Sequence, residues 1–492
     1  SMNKNYQTKI ETGLKLFQEA KYLEALEKFE NLKTINKGDF LVYWYLGHTQ
    51  FRLSNYKSAI KNIKNSIRLK AKDEINLAFL SELYVSINEH DLAISTLEEL
   101  LEINSKNINA FINLARIYTE KGNFKKSIEY YLLVLKSEPK HYGVHYEIIK
   151  LEQSYLTIDL IIQIKEDLSQ DKINDENKVF VNLILATNEK IKNNYKDEIK
   201  YLVEAHSKYL EKNKTKSNQE WNYFTNLLPQ FISHSNKVQL KINDKISPIF
   251  IMGLPRSGTT MIENIIASGK LKFPTGGEVG ACNKVFFSKN IIKDYNSNEL
   301  ITDFNYQDED FKNLKENILY QYNQLKLIDS SKNYIFTDKS IENFLYIDLL
   351  KKIFPKSKFV FCQRDPLANI LGIIKNFLPN LYWTHSIEKI FQWIDIYYQN
   401  LQENLKNDQL NCTVVKLEDF SNHPKKCSKI LFKFLDLEWS EDCINIDANK
   451  NIIKTASNIQ LREPIKKHNL KYLENYSNII EKYGENYDWF KN

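Results

Sequence analysis

Small, large and aromatic residues along the first third of the chain recur at a fixed spacing. Four columns of such residues share a 34-residue register. They are Gly13, Gly47, Ser81 and Ala115; Tyr22, Tyr56, His90 and Phe124; Ala25, Ala59, Ala93 and Ser127; and Phe29, Ile63, Leu97 and Tyr131. Antiparallel helices approach closely only where a small residue faces a large one. The register therefore predicts stacked helical hairpins.

The columns resemble the tetratricopeptide pattern, with four repeats over about residues 6–141. Pro139 predicts the end of the fourth repeat. Helical periodicity continues to about residue 235, including a further helix pair over residues 179–189 and 195–209. We therefore predict a helical domain over residues 1–240 and a second domain over residues 241–492. The predicted inner helices carry four aromatic residues, Tyr43, Tyr45, Phe79 and Phe111. These residues either pack between helices or line a groove or surface that binds a peptide or protein partner or a second copy of the chain in a homodimer.

Around residue 247 the helical period gives way to short apolar runs. A run of buried-strand type over residues 248–252 is followed by Gly-Leu-Pro-Arg-Ser-Gly-Thr-Thr at 253–260 and then by a helical pattern. Strand, glycine-rich loop and helix together predict a phosphate-binding loop, although a plain tight turn is the alternative. Thr259 stands where a nucleoside triphosphatase carries lysine, and Arg256 supplies the positive charge. This argues against a magnesium-dependent kinase and favours a tetrahedral oxyanion.

Further strand-like runs cover residues 333–339, 358–364 and 412–416, with helical stretches between them. This alternation predicts a parallel sheet with helical crossovers. Ligands of such sheets bind beyond the carboxyl ends of the strands. We therefore expect Arg256, Lys339 and Arg364 to converge on one crevice. The predicted fold is α plus α/β: a helical solenoid followed by a P-loop-like α/β domain.

Charge and cysteine content exclude several classes of protein. The net charge is +6, but 68 basic and 62 acidic residues are interspersed, which argues against a nucleic-acid partner. The five cysteines form no Cys-x-x-Cys pair, which argues against a disulfide framework and a zinc site. No apolar run has the length of a signal peptide or a membrane span. We expect a cytoplasmic protein without a metal.

Five segments resemble the sulfotransferase superfamily, and most closely bacterial tetratricopeptide-repeat sulfotransferases with a tyrosylprotein-sulfotransferase-like catalytic domain. The segments are 255–260, 277–278, 337–339, 364–367 and, near the C-terminus, 455–457 with 460–464. With the repeats, the resemblance covers essentially the whole chain. It implies transfer of a sulfuryl group from 3′-phosphoadenosine 5′-phosphosulfate (PAPS) to an acceptor hydroxyl, leaving 3′-phosphoadenosine 5′-phosphate. Peptide tyrosine, glycan and small-molecule acceptors all stay open.

The resemblance also implies site roles. Glu278 matches the catalytic base, and Lys339 and Ser457 match groups that stabilise the transferring sulfuryl group. Arg364 matches a ligand of the 3′-phosphate, and Arg462 belongs with that pocket. Arg256 acts both in catalysis and in the cradle for the 5′-phosphosulfate, whose residues are Arg256, Ser257, Gly258, Thr259 and Thr260.

The implied roles make chemical sense. In-line displacement at sulfur needs a base on the acceptor side and cations on the leaving-group side. A carboxylate in a closed crevice, with its pKa raised by desolvation, suits the base.

Position 372 is one that departs from the family pattern. Gly372 stands where the family usually has a serine that binds the 3′-phosphate, and losing that hydrogen bond costs about 1.5–3 kcal/mol. Lys375, one helical turn further on, is a candidate to compensate. The alternative function is therefore a catalytically impaired, nucleotide-binding repeat adaptor.

Overall fold

The computed structural model describes residues 2–240, 242, 244–288, 307–328, 334–445 and 469–491. The repeat half is helical, and a π-helical turn lies at Ile67–Ala71 and another at Tyr223–Leu227. Its helices are α1 Met2–Gln18, α2 Tyr22–Ile35, α3 Phe40–Arg52, α4 Tyr56–Ser66, α5 Glu74–Ser86, α6 His90–Ile103, α7 Ile108–Glu120, α8 Phe124–Ser137, α9 Tyr142–Leu151, α10 Ile158–Ser169, α11 Asp175–Ile191, α12 Tyr195–Lys212, α13 Lys214–Asn222 and α14 Leu228–Ser235.

Small residues face large ones within the first two hairpins, as predicted. A Cβ built on Gly13 would lie 2.6 Å from the Phe29 ring, and one on Gly47 would lie 2.5 Å from Ile63. Neither helix pair has room for a larger side chain at the glycine. The helices of the first four repeats and the α11–α12 pair occupy the predicted segments.

Two further columns of the same 34-residue register were not recognised in the sequence. The first consists of N-caps whose side chains accept a hydrogen bond from the first helical turn: Asp39, Asp73, Asn107 and His141. The second closes each hairpin with a residue of left-handed backbone: Ala20, Ser54, Asn88 and Gly122. Caps satisfy backbone N–H groups that a helix leaves unpaired, so these columns fix where each helix begins. The cap column continues to α9.

The inner-helix aromatic residues are largely packed between helices. Phe79 and Phe111 are each 8% exposed, and Tyr45 stacks on Phe29 with ring centroids 5.2 Å apart. Tyr43 is half-buried. These contacts favour the packing alternative over a groove lined by these rings.

The second half combines a four-stranded parallel sheet with helices. Its strands are β1 Ser247–Met252, β2 Ile335–Asp338, β3 Lys358–Gln363 and β4 Cys412–Lys416. Its helices are α15 Thr259–Ala267, α16 Ala281–Ser288, α17 Asp308–Gln324, α18 Ile347–Ile353, α19 Pro366–Ile374, α20 Ile387–Asn407, α21 Leu417–Asn422, α22 Pro424–Phe434, α23 Ser477–Ile480 and α24 Asp488–Lys491. The strand order is β2-β1-β3-β4, which confirms the predicted parallel sheet and the α plus α/β class.

Alternate residues of the strands enter two cores on opposite faces of the sheet. Ile249 and Ile251 face a core with α15 and α22. Phe250 and Met252 face a larger core that continues without a break into the helices before the sheet, including Phe231 of α14. The predicted boundary between residues 240 and 241 falls between α14 and β1. It stays a prediction, because this one core has members on both sides of it.

Candidate functional site

The glycine-rich loop follows the central strand β1 at its carboxyl end. Arg256 has φ 66° and Gly258 has φ 91°, so two residues of left-handed backbone shape the loop before α15 begins at Thr259. A Cβ on Gly253 would lie 2.3 Å from Thr259 Cγ2, which only glycine permits. Asn369 of α19 stabilises the loop through a hydrogen bond, since its Nδ2 donates to the Pro255 carbonyl at 2.7 Å. The first N–H groups of α15 therefore face the loop, the arrangement that binds an oxyanion.

Two arginines meet at this loop. Arg364 follows β3, and its Nη1 donates to the Arg256 carbonyl at 2.7 Å. Burial, with the nearby charge of Arg364, lowers the pKa of Arg256 to about 10. Among the described residues, the buried Nε of Arg364 has no hydrogen-bond partner. Two adjacent guanidinium groups with an unsatisfied donor favour a bound anion.

A cavity of about 490 Å³ opens beside the arginines, and the repeat half supplies part of its wall. Lys190 of α11 and Tyr195 of α12 line it. The other lining residues are Arg256, Arg364, Ala368, Leu371, Gly372, Lys375, Asn376, Tyr472, Asn475 and Tyr476. Basic and aromatic side chains together suit a ligand with phosphate groups and a planar base.

Lys375 lines this cavity, but its ammonium group also contacts Glu198 of the repeat half. Its Nζ lies 3.3 Å from Glu198 Oε2 and 2.5 Å from the Tyr476 hydroxyl, which donates to Glu198 Oε1. Burial lowers the pKa of Lys375 to about 8, and Glu198 opposes that shift. Lys375 thus lines the same cavity as Gly372 and Arg364, and its role as a substitute for the missing serine stays a prediction.

Gly372 lies close to both arginines. A Cβ built there would lie 3.0 Å from Arg256 Cβ and 3.2 Å from Arg364 Nη1. The loop conformation fixes Arg256 Cβ, so an added side chain would displace Arg364. The glycine therefore accommodates the close approach of the two arginines.

We expect Gly372→Ser to weaken binding of adenosine 3′,5′-bisphosphate about tenfold or more, because the displaced Arg364 loses a charged hydrogen bond. Calorimetric titration measures this. Gly38→Ser is the matched control, since a Cβ there meets only Asn36 Oδ1 at 3.6 Å. Tighter binding by Gly372→Ser would contradict this account and identify the glycine as a defect in the 3′-phosphate site.

Lys339 and Glu278 form an ion pair at the end of β2. Lys339 Nζ lies 3.2 Å from Glu278 Oε1, and the Lys339 N–H donates to the Gly277 carbonyl at 2.9 Å. The Lys339 side chain is 2% exposed, whereas that of Glu278 is 40% exposed. The closed crevice expected around Glu278 is thus absent among the described residues. Its carboxylate faces solvent on one side and the buried ammonium group on the other.

Two buried carboxylates lie at this end of β2, and the sequence assigned a role to neither. Glu263 of α15 accepts from the Gly277 N–H at 3.1 Å and from the Thr337 hydroxyl at 2.8 Å. Burial raises the pKa of Glu263, and Lys339 opposes that shift. Asp338 accepts from Tyr322 and Ser340, at 2.6 Å from each hydroxyl. The sequence signal for Glu263 was a carboxylate in a largely apolar helix, and Asp338 lies within the matched segment 337–339.

The remaining predicted residues are distributed as follows. Ser257 is buried and donates to the Leu254 carbonyl at 2.7 Å, so its hydroxyl stabilises the loop itself. Thr260 is buried and Thr259 half-buried in the first turn of α15. Ser457 and Arg462 lie outside the described residues, so their roles stay predictions. Across the described ranges no group of three potential metal ligands occurs, and no helix is long and apolar enough to cross a membrane.

Comparison with known proteins finds family matches in both halves of the chain. Residues 248–441 match the sulfotransferase family, and residues 76–107 and 108–141 match tetratricopeptide repeats. The chain carries a sulfotransferase-family domain and tetratricopeptide repeats. The sulfotransferase match begins in β1 and includes the loop, Glu278, Lys339 and Arg364.

Curated relatives are distant. An uncharacterized protein of Aquifex aeolicus is 20% identical over 479 residues, which are 93% of this chain and 61% of that protein. This chain therefore spans about three fifths of that relative. A repeat-containing protein of Methanocaldococcus jannaschii is 24% identical over 128 residues, 26% of this chain and 22% of that protein.

Solved structures that resemble the chain include MamA and a tetratricopeptide repeat protein. MamA of Desulfovibrio magneticus is 16% identical with a TM-score of 0.29, over 31% of this chain and 87% of MamA. A tetratricopeptide repeat protein of Parabacteroides merdae is 14% identical with a TM-score of 0.32, over 41% of this chain and 78% of that protein.

Proposed function

We propose that the chain is a sulfotransferase that moves a sulfuryl group from PAPS to an acceptor hydroxyl. The observation that carries the proposal is the placement of two adjacent arginines at a phosphate-type loop, with a lysine–glutamate pair at the next strand end. Sheet order supports it, since β1 lies between β2 and β3 and all three strands end at one edge.

The described residues fit the donor. Two positively charged side chains, Arg256 and Arg364 with its unsatisfied Nε, neutralise the negative charges of the nucleotide. The N–H groups at the start of α15 bind the 5′-phosphosulfate. Tyr195 and Tyr472, the partly exposed aromatic residues of the 490 Å³ cavity, offer faces for the adenine ring.

The reaction then needs only groups of this chain. Glu278 takes the proton of the acceptor hydroxyl as its oxygen forms a bond to sulfur. The bond between sulfur and the bridging oxygen of the donor breaks, and the electron pair leaves on the 5′-phosphate. Lys339, at 3.2 Å from Glu278 Oε1, and Arg256 stabilise the charge on the transferring group and on the leaving oxygen.

We expect adenosine 3′,5′-bisphosphate to raise the thermal unfolding temperature and ADP not to do so. At 100 times its dissociation constant the bisphosphate stabilises the folded state by about 2.7 kcal/mol. ADP has a similar charge but lacks the 3′-phosphate, so it is a matched control. Equal shifts, or none, with both nucleotides would count against the proposal.

Bisphosphate binding without transfer of the labelled sulfuryl group to any lysate component would favour the adaptor alternative. Gly372, in place of the usual serine, is the observation that suggests this alternative. A kinase function would require magnesium-dependent hydrolysis or transfer from ATP, which a turnover assay would detect. A tyrosylprotein-sulfotransferase-like subtype, a bacterial origin and a cytoplasmic location stay predictions. A protein partner on the repeats is a further proposal, supported by the tetratricopeptide matches.

A further inference from the structure

The turn between α11 and α12 brings the repeat half to the nucleotide cavity. Lys190 lies in the last turn of α11, and Tyr195 begins α12. The buried carboxylate of Glu189 accepts a hydrogen bond from Asn194 Nδ2 at 2.8 Å, which closes the turn. Tyr195 packs edge-on against Tyr476 of the second half of the chain, with ring centroids 5.1 Å apart. These contacts fix the turn at the wall of the 490 Å³ cavity.

The cavity is strongly basic. Its lining includes four cationic side chains, Lys190, Arg256, Arg364 and Lys375, and no carboxylate among the described residues. Like charges at short range repel one another, and partial burial strengthens the repulsion because water screens it less. A ligand with several negative charges removes this repulsion, so the cavity favours a polyanion.

Lys190 differs from its neighbours in having no partner of its own. Lys375 is paired with Glu198 at 3.3 Å, whereas the ammonium group of Lys190 makes no ion pair or hydrogen bond within the described part of the chain. Lys190 is exposed, so the plain alternative is a solvated surface lysine. That alternative predicts that replacing Lys190 has no effect on nucleotide binding.

Within the cavity, Lys190 belongs to the end where Lys375 lies. The two lysines also line a neighbouring cavity of about 310 Å³, which neither arginine lines. Burial lowers the pKa of Lys375 to about 8, and the charge of Lys190 contributes to this shift. The pKa of Arg256 is lowered by burial and by Arg364 instead. Lys190 therefore lies beside Lys375, on the far side of the arginines from the glycine-rich loop.

This order of charges matches a nucleotide with phosphate groups at two positions. The N–H groups of α15 and the Arg256 guanidinium suit the 5′-phosphosulfate at the loop. A 3′-phosphate carries about two further negative charges at neutral pH, which Arg364 alone does not balance. Lys375 follows Gly372 by one helical turn, and Lys190 faces it across the cavity. The two lysines supply the missing positive charge where the second phosphate would lie.

We propose that Lys190 and Lys375 bind the 3′-phosphate of the donor together with Arg364, so that the repeat half takes part in selecting the nucleotide. The inference rests on the proposed function. Sulfuryl transfer leaves the 3′-phosphate unchanged, so Lys190 holds donor and product alike and does not act on the sulfur. Lys190 is thus a specificity residue supplied by the α11–α12 hairpin.

The test is calorimetric titration of the full chain with adenosine 3′,5′-bisphosphate and with adenosine 5′-monophosphate (AMP). AMP keeps the base and the 5′-phosphate, so the ratio of the two dissociation constants measures what the 3′-phosphate contributes. Lys190→Gln is expected to lower this ratio about tenfold by weakening bisphosphate binding, and to leave AMP affinity unchanged. Lys190→Arg keeps the charge and should keep most of the ratio.

Lys192→Gln is the matched control, because Lys192 is an exposed lysine at the end of the same helix and lines neither cavity. A ratio that stays at the wild-type value in Lys190→Gln would overturn the inference. An equal loss of AMP and bisphosphate affinity would overturn it too, since it would show a general disturbance of the cavity. A wild-type protein without any preference for the bisphosphate would defeat the proposed function itself, whereas a preference that survives Lys190→Gln defeats only the role of the repeat half.

Discussion

Replacing Glu278 with glutamine is expected to lower the rate of sulfuryl transfer about 10²–10⁴-fold, the usual contribution of a general base. Glutamine keeps the shape of the side chain, and its carbonyl still accepts from Lys339 Nζ, now 3.2 Å from Glu278 Oε1. It has no basic oxygen to take the acceptor proton. Single-turnover consumption of radiolabelled donor with an acceptor-containing lysate measures the effect, and calorimetry follows bisphosphate binding.

Bisphosphate affinity should not change in this variant, because Glu278 lies on the acceptor side of Lys339. Glu438→Gln is the matched control, since Glu438 is an exposed glutamate whose one ion pair among the described residues is with Lys270, at 2.7 Å. A Glu278→Gln protein that transfers at the wild-type rate would contradict the assigned base. Glu342, whose pKa burial raises to about 7, would then be the next candidate.

Sequence patterns predicted the fold where the contacts are local or repeated. The facing of Gly13 with Phe29 and of Gly47 with Ile63 occurs within one hairpin and recurs every repeat, so the register exposed it. Each of the four strands was visible as a short apolar run, because parallel strands are buried on both faces. The cap column of Asp39 was equally present in the sequence, but polar residues at turns carry a weaker signal than apolar ones.

The candidate site was predictable only along its linear motifs. Arg256 and Arg364 each follow a strand, so the rule that ligands bind at strand carboxyl ends predicts that they lie together. Glu198 and Glu220 had no such signal. Each belongs to an amphipathic helix and meets its partners, Lys375 and Trp383, more than 150 positions away along the chain. No local pattern encodes contacts of that separation.

Because the two halves of the chain make such long-range contacts, a fragment of residues 241–492 is expected not to fold. Its core would lose Tyr223, Phe224, Leu227 and Phe231, which are buried against the sulfotransferase-family domain. Burying such side chains contributes about 1.5–3 kcal/mol each. Four of them together match the total stability of a typical domain, about 5–15 kcal/mol. The fragment should be insoluble or lack near-ultraviolet circular dichroism.

A longer fragment, residues 142–492, is the matched comparison. It keeps α9 to α14, and with them the members of the shared core that precede the sheet, from Tyr142 onward. It loses the separate cores of the first repeats and the partners of Val144 and Ile148 in a core shared with α7 and α8. It also loses a few polar contacts, such as Gln324 Oε1 with the Tyr56 N–H at 2.6 Å. We expect it to fold cooperatively and to bind the bisphosphate, because Lys190 and Tyr195 of the nucleotide cavity are retained. If residues 241–492 fold alone and bind equally well, helices α9–α14 contribute neither to the core nor to the nucleotide site. If both fragments fail, the first repeats are needed too, and the shared core does not suffice to hold the sulfotransferase-family domain.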